Sequence, residues 1–136
     1  MSNAQNLAYA AVQVLHNFGA VATVGGSLAA TRIESADGRK KLAWLALAGW
    51  GTQAASGALF GLVSYHFYHQ FPDIAGIAVV ALAIKMLCAA TGFLLVAAYL
   101  FRGANWPERK GSAALLSSAI LAVVALSSAA FLRWFS

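Results

Sequence analysis

Charge is what this chain has least of. Only 10% of its 136 residues are Asp, Glu, Lys or Arg, against 61% hydrophobic, whereas a soluble domain carries about 25% charged residues. Such a chain cannot cover its own surface with polar groups, so lipid must do so. Carboxylates are scarcer still. The four Asp and Glu residues all fall in polar connecting stretches, which disfavours a carboxylate-driven proton or cation antiporter. A single cysteine, Cys88, inside an apolar run excludes an intrachain disulfide and leaves the redox compartment unread. No Lys or Arg precedes the first apolar run, whereas a secretory signal peptide starts with basic residues. The first helix is therefore expected to stay in the mature protein. No tandem repeat, low-complexity linker, phosphate loop, nucleophile triad or paired-carboxylate site is present.

What the chain does have is four long apolar runs, at about residues 6–31, 42–67, 74–101 and 112–135. A helix crosses the roughly 30 Å hydrocarbon layer in about 20 residues, so each run is long enough. The expected fold is all-α: a polytopic membrane four-helix bundle, with residues 1–136 forming one transmembrane domain. The connection from Arg32 to Lys41 has Asp37-Gly38 at its centre and reads as a turn. In the last connection, Asn105 and Glu108 read as a capping pair, with Pro107 in the first turn of the fourth helix. The middle connection, residues 69–73, is short and holds no Lys or Arg.

The net charge of +5 looks like a nucleic-acid signal until the positions are read. Seven of the nine basic residues (Arg32, Arg39, Lys40, Lys41, Arg102, Arg109 and Lys110) sit in or beside the first and third connections. That makes them topology signals: the positive-inside rule places both termini outside, on the periplasmic side of a bacterial-type inner membrane. Nucleic acid is not an expected partner. Tyr9, Tyr65, Tyr68 and Trp134 fall near the outer boundary, and Trp44, Tyr99 and Trp106 near the inner one, as an aromatic belt does. Helices in lipid associate by close van der Waals approach between small residues. Candidates are Ala22, Gly26 and Ala30 on the first helix and Gly51, Ala55 and Gly57-x-x-x-Gly61 on the second. The fourth offers Ser118 with Ala122 and Ala125 with Ala129. With so little mass outside the lipid bilayer, a homo-oligomer or a larger membrane complex is expected.

Ionisable groups inside a bilayer are costly and are functional candidates by default. His16 lies roughly 15 Å deep on the first helix and Lys85 roughly 18 Å deep on the third, at about 1.5 Å per residue, so the two can share one site. The structural alternative for His16 is a hydrogen-bonded histidine that pins helix packing. Lys85 is open to an anionic cofactor or lipid group, to a backbone carbonyl, or to a neutral state. A second group, His66 and His69 at the outer end of the second helix, has i, i+3 spacing that suits a metal, with Asp73 near in sequence. Interfacial histidines are more often wet polar residues. His66 stands about 15 Å further out than His16, which argues against one haem held by both. Cys88 and Met86 near Lys85 would suit Cu(I), although buried Met and Cys are ordinary packing residues.

Leu15-His16-Asn-Phe-Gly19 followed by Gly25-Gly26 resembles the His-x-x-Gly…Gly-Gly helix of CopD-type membrane proteins. The glycine-bearing second helix, Ala55-Ser-Gly57, and the lysine of Ile84-Lys85-Met86-Leu87 on the third look like that group and its small four-helix relatives. HemJ-type protoporphyrinogen oxidases are similar in layout. The resemblance implies copper handling, or a haem or other redox role, at His16; by depth Lys85 is the further cofactor-binding candidate, and by spacing His66 and His69 are the further metal candidates. Two departures are plain. Ala22-Thr23-Val24 stands where such families often carry a Trp, and Arg32 lacks the aromatic context that a HemJ-like enzyme needs. Three roles are therefore expected to compete: a CopD-like copper or redox-metal protein, a structural or haem-b-carrying subunit of a respiratory or photosynthetic complex, and a HemJ-like enzyme. The enzymatic role is the one these departures disfavour.

Overall fold

The computed structural model describes residues 2–135. It is all-α, with helices α1 (Asn3–Ala30), α2 (Ala36–Tyr68), α3 (Ile77–Arg102) and α4 (Glu108–Phe135). A short 3-10 turn at Gly103–Asn105 follows α3. Three of the four, α1, α3 and α4, are long and apolar enough to cross a membrane. The fourth, α2, is the longest at 33 residues, but it interrupts its apolar run with Thr52, Gln53, Ser56 and Ser64. Ser56 and Ser64 are buried, so the helix that is least apolar turns much of its polarity inward.

Local chemistry explains where the helices begin and end. Ser2 caps α1, its hydroxyl accepting from the Gln5 amide at 3.2 Å, and Ser35 caps α2 by accepting from the Gly38 amide at 3.2 Å. A serine cap meets one of the donors that a helix start leaves free. Asp37-Gly38, expected at the centre of a turn, is thereby drawn into the first turn of α2, where Asp37 meets the positive end of the helix dipole. The connection shrinks to residues 31–35. At the other end of α2, His69 adopts a left-handed conformation (φ 55°) and its amide donates to the Tyr65 carbonyl at 2.9 Å. Gly76, with φ 55° and ψ −121°, takes a backbone shape that suits glycine, and α3 starts only after it, three residues later than expected. Asn105 is part of the 3-10 turn. Pro107, not Asn105, immediately precedes α4, and its carbonyl accepts from the Lys110 and Gly111 amides.

The helices pack in a ring, α1 on α2, α2 on α3, α3 on α4 and α4 on α1, with the first and third of these contacts the most extensive. Missing side chains make the α1–α2 contact possible. A Cβ placed on Gly49 would stand 2.5 Å from the Thr23 backbone nitrogen, and one on Gly26 would stand 2.9 Å from that of Ala46. Between α2 and α3 the fit is set by Trp50 lying over Gly92, where a Cβ would come within 2.3 Å of the indole. The Trp50 Nε1–H donates to Ser118 Oγ at 3.0 Å, and Ser118 meets Ser27 Oγ at 2.9 Å, so one buried polar knot joins α1, α2 and α4. Of the small-residue sets, Gly26 and Ala30 are buried, as are Ser118, Ala122 and Ala125. The Gly57-x-x-x-Gly61 stripe does not join helices within the chain. Gly51 and Gly57 have nothing near their Cβ positions, and Gly61 meets only the Phe71 ring at 3.6 Å.

At one end of the ring the two basic segments meet. Arg39 Nη2 lies 3.4 Å from Glu108 Oε1, Lys41 pairs with Asp37 at 2.6 Å, and Lys110 sits 4.3 Å from the centre of the Trp106 ring. The contrast between glycines gives a test. Gly92→Ala must displace an indole that is buried and held by hydrogen bonding, and is expected to destabilise the protein by about 1–3 kcal/mol. Gly57→Ala should leave stability unchanged or slightly raised. Unfolding midpoints in detergent measure both, and equal midpoints for the two variants would refute this account of the α2–α3 fit.

A candidate intramembrane site at His16 and Lys85

Three helices supply the site. His16 stands at the middle of α1, Thr52, Gln53 and Ser56 lie along the face of α2 turned toward it, and Lys85 comes from α3. The sequence expectation that His16 and Lys85 share a depth is matched by a direct contact: Lys85 Nζ is 3.0 Å from His16 Nε2. The other ring nitrogen, Nδ1, is 2.7 Å from Ser56 Oγ. Ser56 in turn donates to the Thr52 carbonyl at 2.5 Å, and the Gln53 side-chain amide donates to the His16 carbonyl. Phe60 covers the imidazole edge-on, with ring centres 5.7 Å apart.

Donor counting assigns the directions in this chain. A serine hydroxyl has one proton, and that of Ser56 goes to the Thr52 carbonyl. Ser56 must then accept from His16, which puts the imidazole proton on Nδ1 and leaves Nε2 as an acceptor for Lys85. Fixing one ring nitrogen so that the other points at its partner is how proteins orient ligating and proton-transferring histidines. No Asp or Glu lies within the membrane-length stretches of α1, α3 or α4; Glu108 is the first residue of α4, at the basic end. The lysine therefore has an imidazole, rather than a carboxylate, as its partner. Lys85 also reaches the wall of a central cavity of about 10 Å³, shared with Gln53, Trp50 and Thr23. That is about the volume one water molecule needs.

The remaining candidates are elsewhere. His66 and His69 are exposed, their rings lying against Phe67 and Tyr65. His66 is ten residues beyond Ser56 on one helix, about 15 Å of rise, so it does not join His16. His69 occupies the left-handed cap and leaves the helical lattice that would have aligned it with His66. Among the described residues no group of three or more His, Cys, Asp or Glu side chains could hold a metal ion, so Asp73 does not complete that set. Cys88 is buried in the core that contains Leu47 and Trp50, and Met86 is 63% exposed on the outer face of α3. The soft sulfur pair near the histidine is therefore not assembled.

Sequence reading passed over Gln53, and it quoted Ser56 only as part of a glycine-bearing motif. A signal was available in Gly49, Thr52, Gln53 and Ser56, which recur at helical spacing through an otherwise apolar run. Comparison with protein-family models, with curated proteins and with solved structures finds no match.

The tautomer is testable. Nitrogen-15 spectra of ring-labelled histidine should show a protonated Nδ1 and a bare, hydrogen-bonded Nε2 for His16. Ser56→Ala should cost about 1 kcal/mol. Ser56→Ala and Lys85→Met should each keep the proton on Nδ1, because the remaining partner still directs it, whereas the double variant should mix the two tautomers. A protonated Nε2 in the unaltered protein would sink the directional chain.

Proposed function

We propose that this chain is a CopD-like membrane protein that crosses the bilayer four times and binds copper through His16 and Lys85. The observation that carries the reading is the 3.0 Å separation of His16 Nε2 and Lys85 Nζ. Two nitrogens each about 2.0 Å from one metal, at roughly a right angle, stand about 3 Å apart. A hydrogen-bonded nitrogen pair and a chelating pair thus share one separation, and a turn of the imidazole would aim both nitrogens at an ion between them. Nitrogen ligands bind in their unprotonated form, so uptake would release the proton that lies between them. Ser56 would hold the imidazole in the right tautomer, and the remaining coordination positions would fall to a small ligand or to a donor from another chain. A copper ion held this way would supply one-electron redox chemistry. His66 and His69 form at most a separate, wet site on this reading.

The haem alternatives, whether as a haem-b-carrying subunit or a HemJ-like enzyme, fit the residues less well. Lys85 occupies the approach to Nε2, and the cavity nearest to it is about 10 Å³, against several hundred Å³ for a cofactor pocket. Four crossings are supported by α2 itself. Between Leu42 and Ser64 it has no ionisable side chain, and its inward polar groups are hydrogen-bonded, as lipid demands. The meeting of Arg39 with Glu108 gathers both basic segments at one end, which supports termini outside by the positive-inside rule. An inner membrane and association into oligomers or a larger complex complete the proposal.

Detergent-purified protein loaded with copper is expected to hold about one ion per chain without a haem Soret band. His16→Ala should abolish binding and Lys85→Met should weaken it at least about tenfold; no copper retained under loading defeats the proposal. Orientation is checked separately in a Cys88→Ala background. Ser2→Cys should react with an impermeant thiol reagent from the periplasmic side, and Lys40→Cys only after permeabilisation. The opposite pattern would reverse the topology.

A further inference from the structure

We propose that the basic end of the molecule holds the phosphate of an anionic phospholipid, with Arg39 as its anchor. The inference rests on the membrane-crossing reading of the helices, and on neither His16 nor copper. Seven cationic residues gather in the segments at this end, against only three carboxylates, Glu34, Asp37 and Glu108. Most are exposed, as a topology signal requires, but Arg39 is different: its side chain is only 16% exposed. It lies in the seam where the start of α2 meets the start of α4.

Its hydrogen bonding is incomplete. Nη2 donates to the Ile33 carbonyl at 3.2 Å and, weakly, to Glu108 Oε1 at 3.4 Å. Nε is buried and has no acceptor among the described residues. Nε and Nη2 form the side edge of the guanidinium, the fork that takes two oxygens of one phosphate or carboxylate in parallel. Glu108 uses one prong at long range, and its side chain is 80% exposed, so it is free to swing into water. A phosphate entering at that edge would satisfy both prongs, and a buried, unsatisfied N–H is costly enough to favour the exchange.

The surroundings commit the anion to a lipid. Trp44 packs on Phe101 with ring centres 5.7 Å apart, and Trp106 carries Lys110 over its face. Tryptophans at this level mark the headgroup layer of a bilayer, where anionic lipids collect beside basic residues. A soluble anion would have no reason to prefer the end of the molecule that carries these rings.

Native mass spectrometry of the detergent-solubilised protein, titrated with phosphatidylglycerol or phosphatidylcholine, tests the proposal. Phosphatidylglycerol should be retained at least about fivefold better than phosphatidylcholine. Arg39→Gln should remove that preference, and Arg39→Lys should remove most of it, because lysine keeps the charge but lacks the fork. Arg32→Gln, at an exposed position, should retain it, and so should His16→Ala. Helicity by circular dichroism confirms that each variant is folded, and Arg39→Lys, the milder change, carries the test if Arg39→Gln is not. Equal retention of the two lipids would overturn the proposal. So would wild-type behaviour in Arg39→Lys, or equal losses in Arg39→Gln and Arg32→Gln, either of which means diffuse charge alone. Displacement of the lipid by millimolar inorganic phosphate would assign the fork to a soluble anion and overturn the lipid as occupant.

Discussion

The rest of the structure depends on how closely α1 and α2 approach. Gly49 sits against the Thr23 backbone with no room for a side chain, and Gly26 sits nearly as tightly against Ala46. Lipid tails are as apolar as leucine, so burial alone gives two helices no reason to pair in a membrane. What remains is contact and hydrogen bonding, and both require the backbones to be near. The glycines also set the register. One turn from Gly49, Thr52 reaches Gly19 and Gln53 reaches the His16 carbonyl; one turn further, Ser56 reaches the His16 ring. The imidazole is oriented by the same contact that pairs the helices, so its direction follows from steric constraints well away from it.

The second hairpin is attached to the first by a smaller number of specific devices. Trp50 inserts over Gly92 of α3 and bonds Ser118 of α4, which bonds Ser27 of α1. An indole has an N–H that must find an acceptor when buried, and a serine can accept one bond while donating another. The knot therefore gives the buried indole N–H an acceptor and ties both serine oxygens into one chain of hydrogen bonds. It also holds α3 at the height where Lys85 meets His16. A lysine in an apolar layer is otherwise expensive. Here its approach is determined by a packed tryptophan rather than by a counter-ion.

Much of the architecture was legible because it follows from simple rules. Four apolar stretches gave four helices, and the matching depths of His16 and Lys85 anticipated their contact. Less legible were features in which side-chain chemistry competes with pattern. Asp37-Gly38 reads as a turn by composition, yet the Ser35 cap two residues earlier wins and draws both residues into α2. The Gly57-x-x-x-Gly61 spacing reads as a packing motif, yet helix rotation faces it away, and the contacts fall to Gly19, Gly26, Gly49 and Gly92. Spacing along one helix fixes which residues share a face, but not which face meets a neighbour. The same limit hid Ser56 and Gln53, whose roles exist only because α1 happens to lie against them.

The pair at the centre differs from most intramembrane ionisable sites in having no acid. A lysine and a carboxylate in hydrocarbon would attract each other strongly and settle into a closed ion pair. A lysine and a neutral imidazole share only a hydrogen bond, and that bond is directional because Ser56 fixes which imidazole nitrogen can accept. Such a pair is held in geometry without being locked in charge, so the one proton between the two nitrogens can give way to another electrophile without leaving an uncompensated carboxylate behind. That asymmetry separates the two ends of the molecule. The basic end has cations in excess and an arginine fork that is only half used, which suits an anion. The centre has two nitrogens that share one proton and no negative charge, which suits a proton or a metal ion.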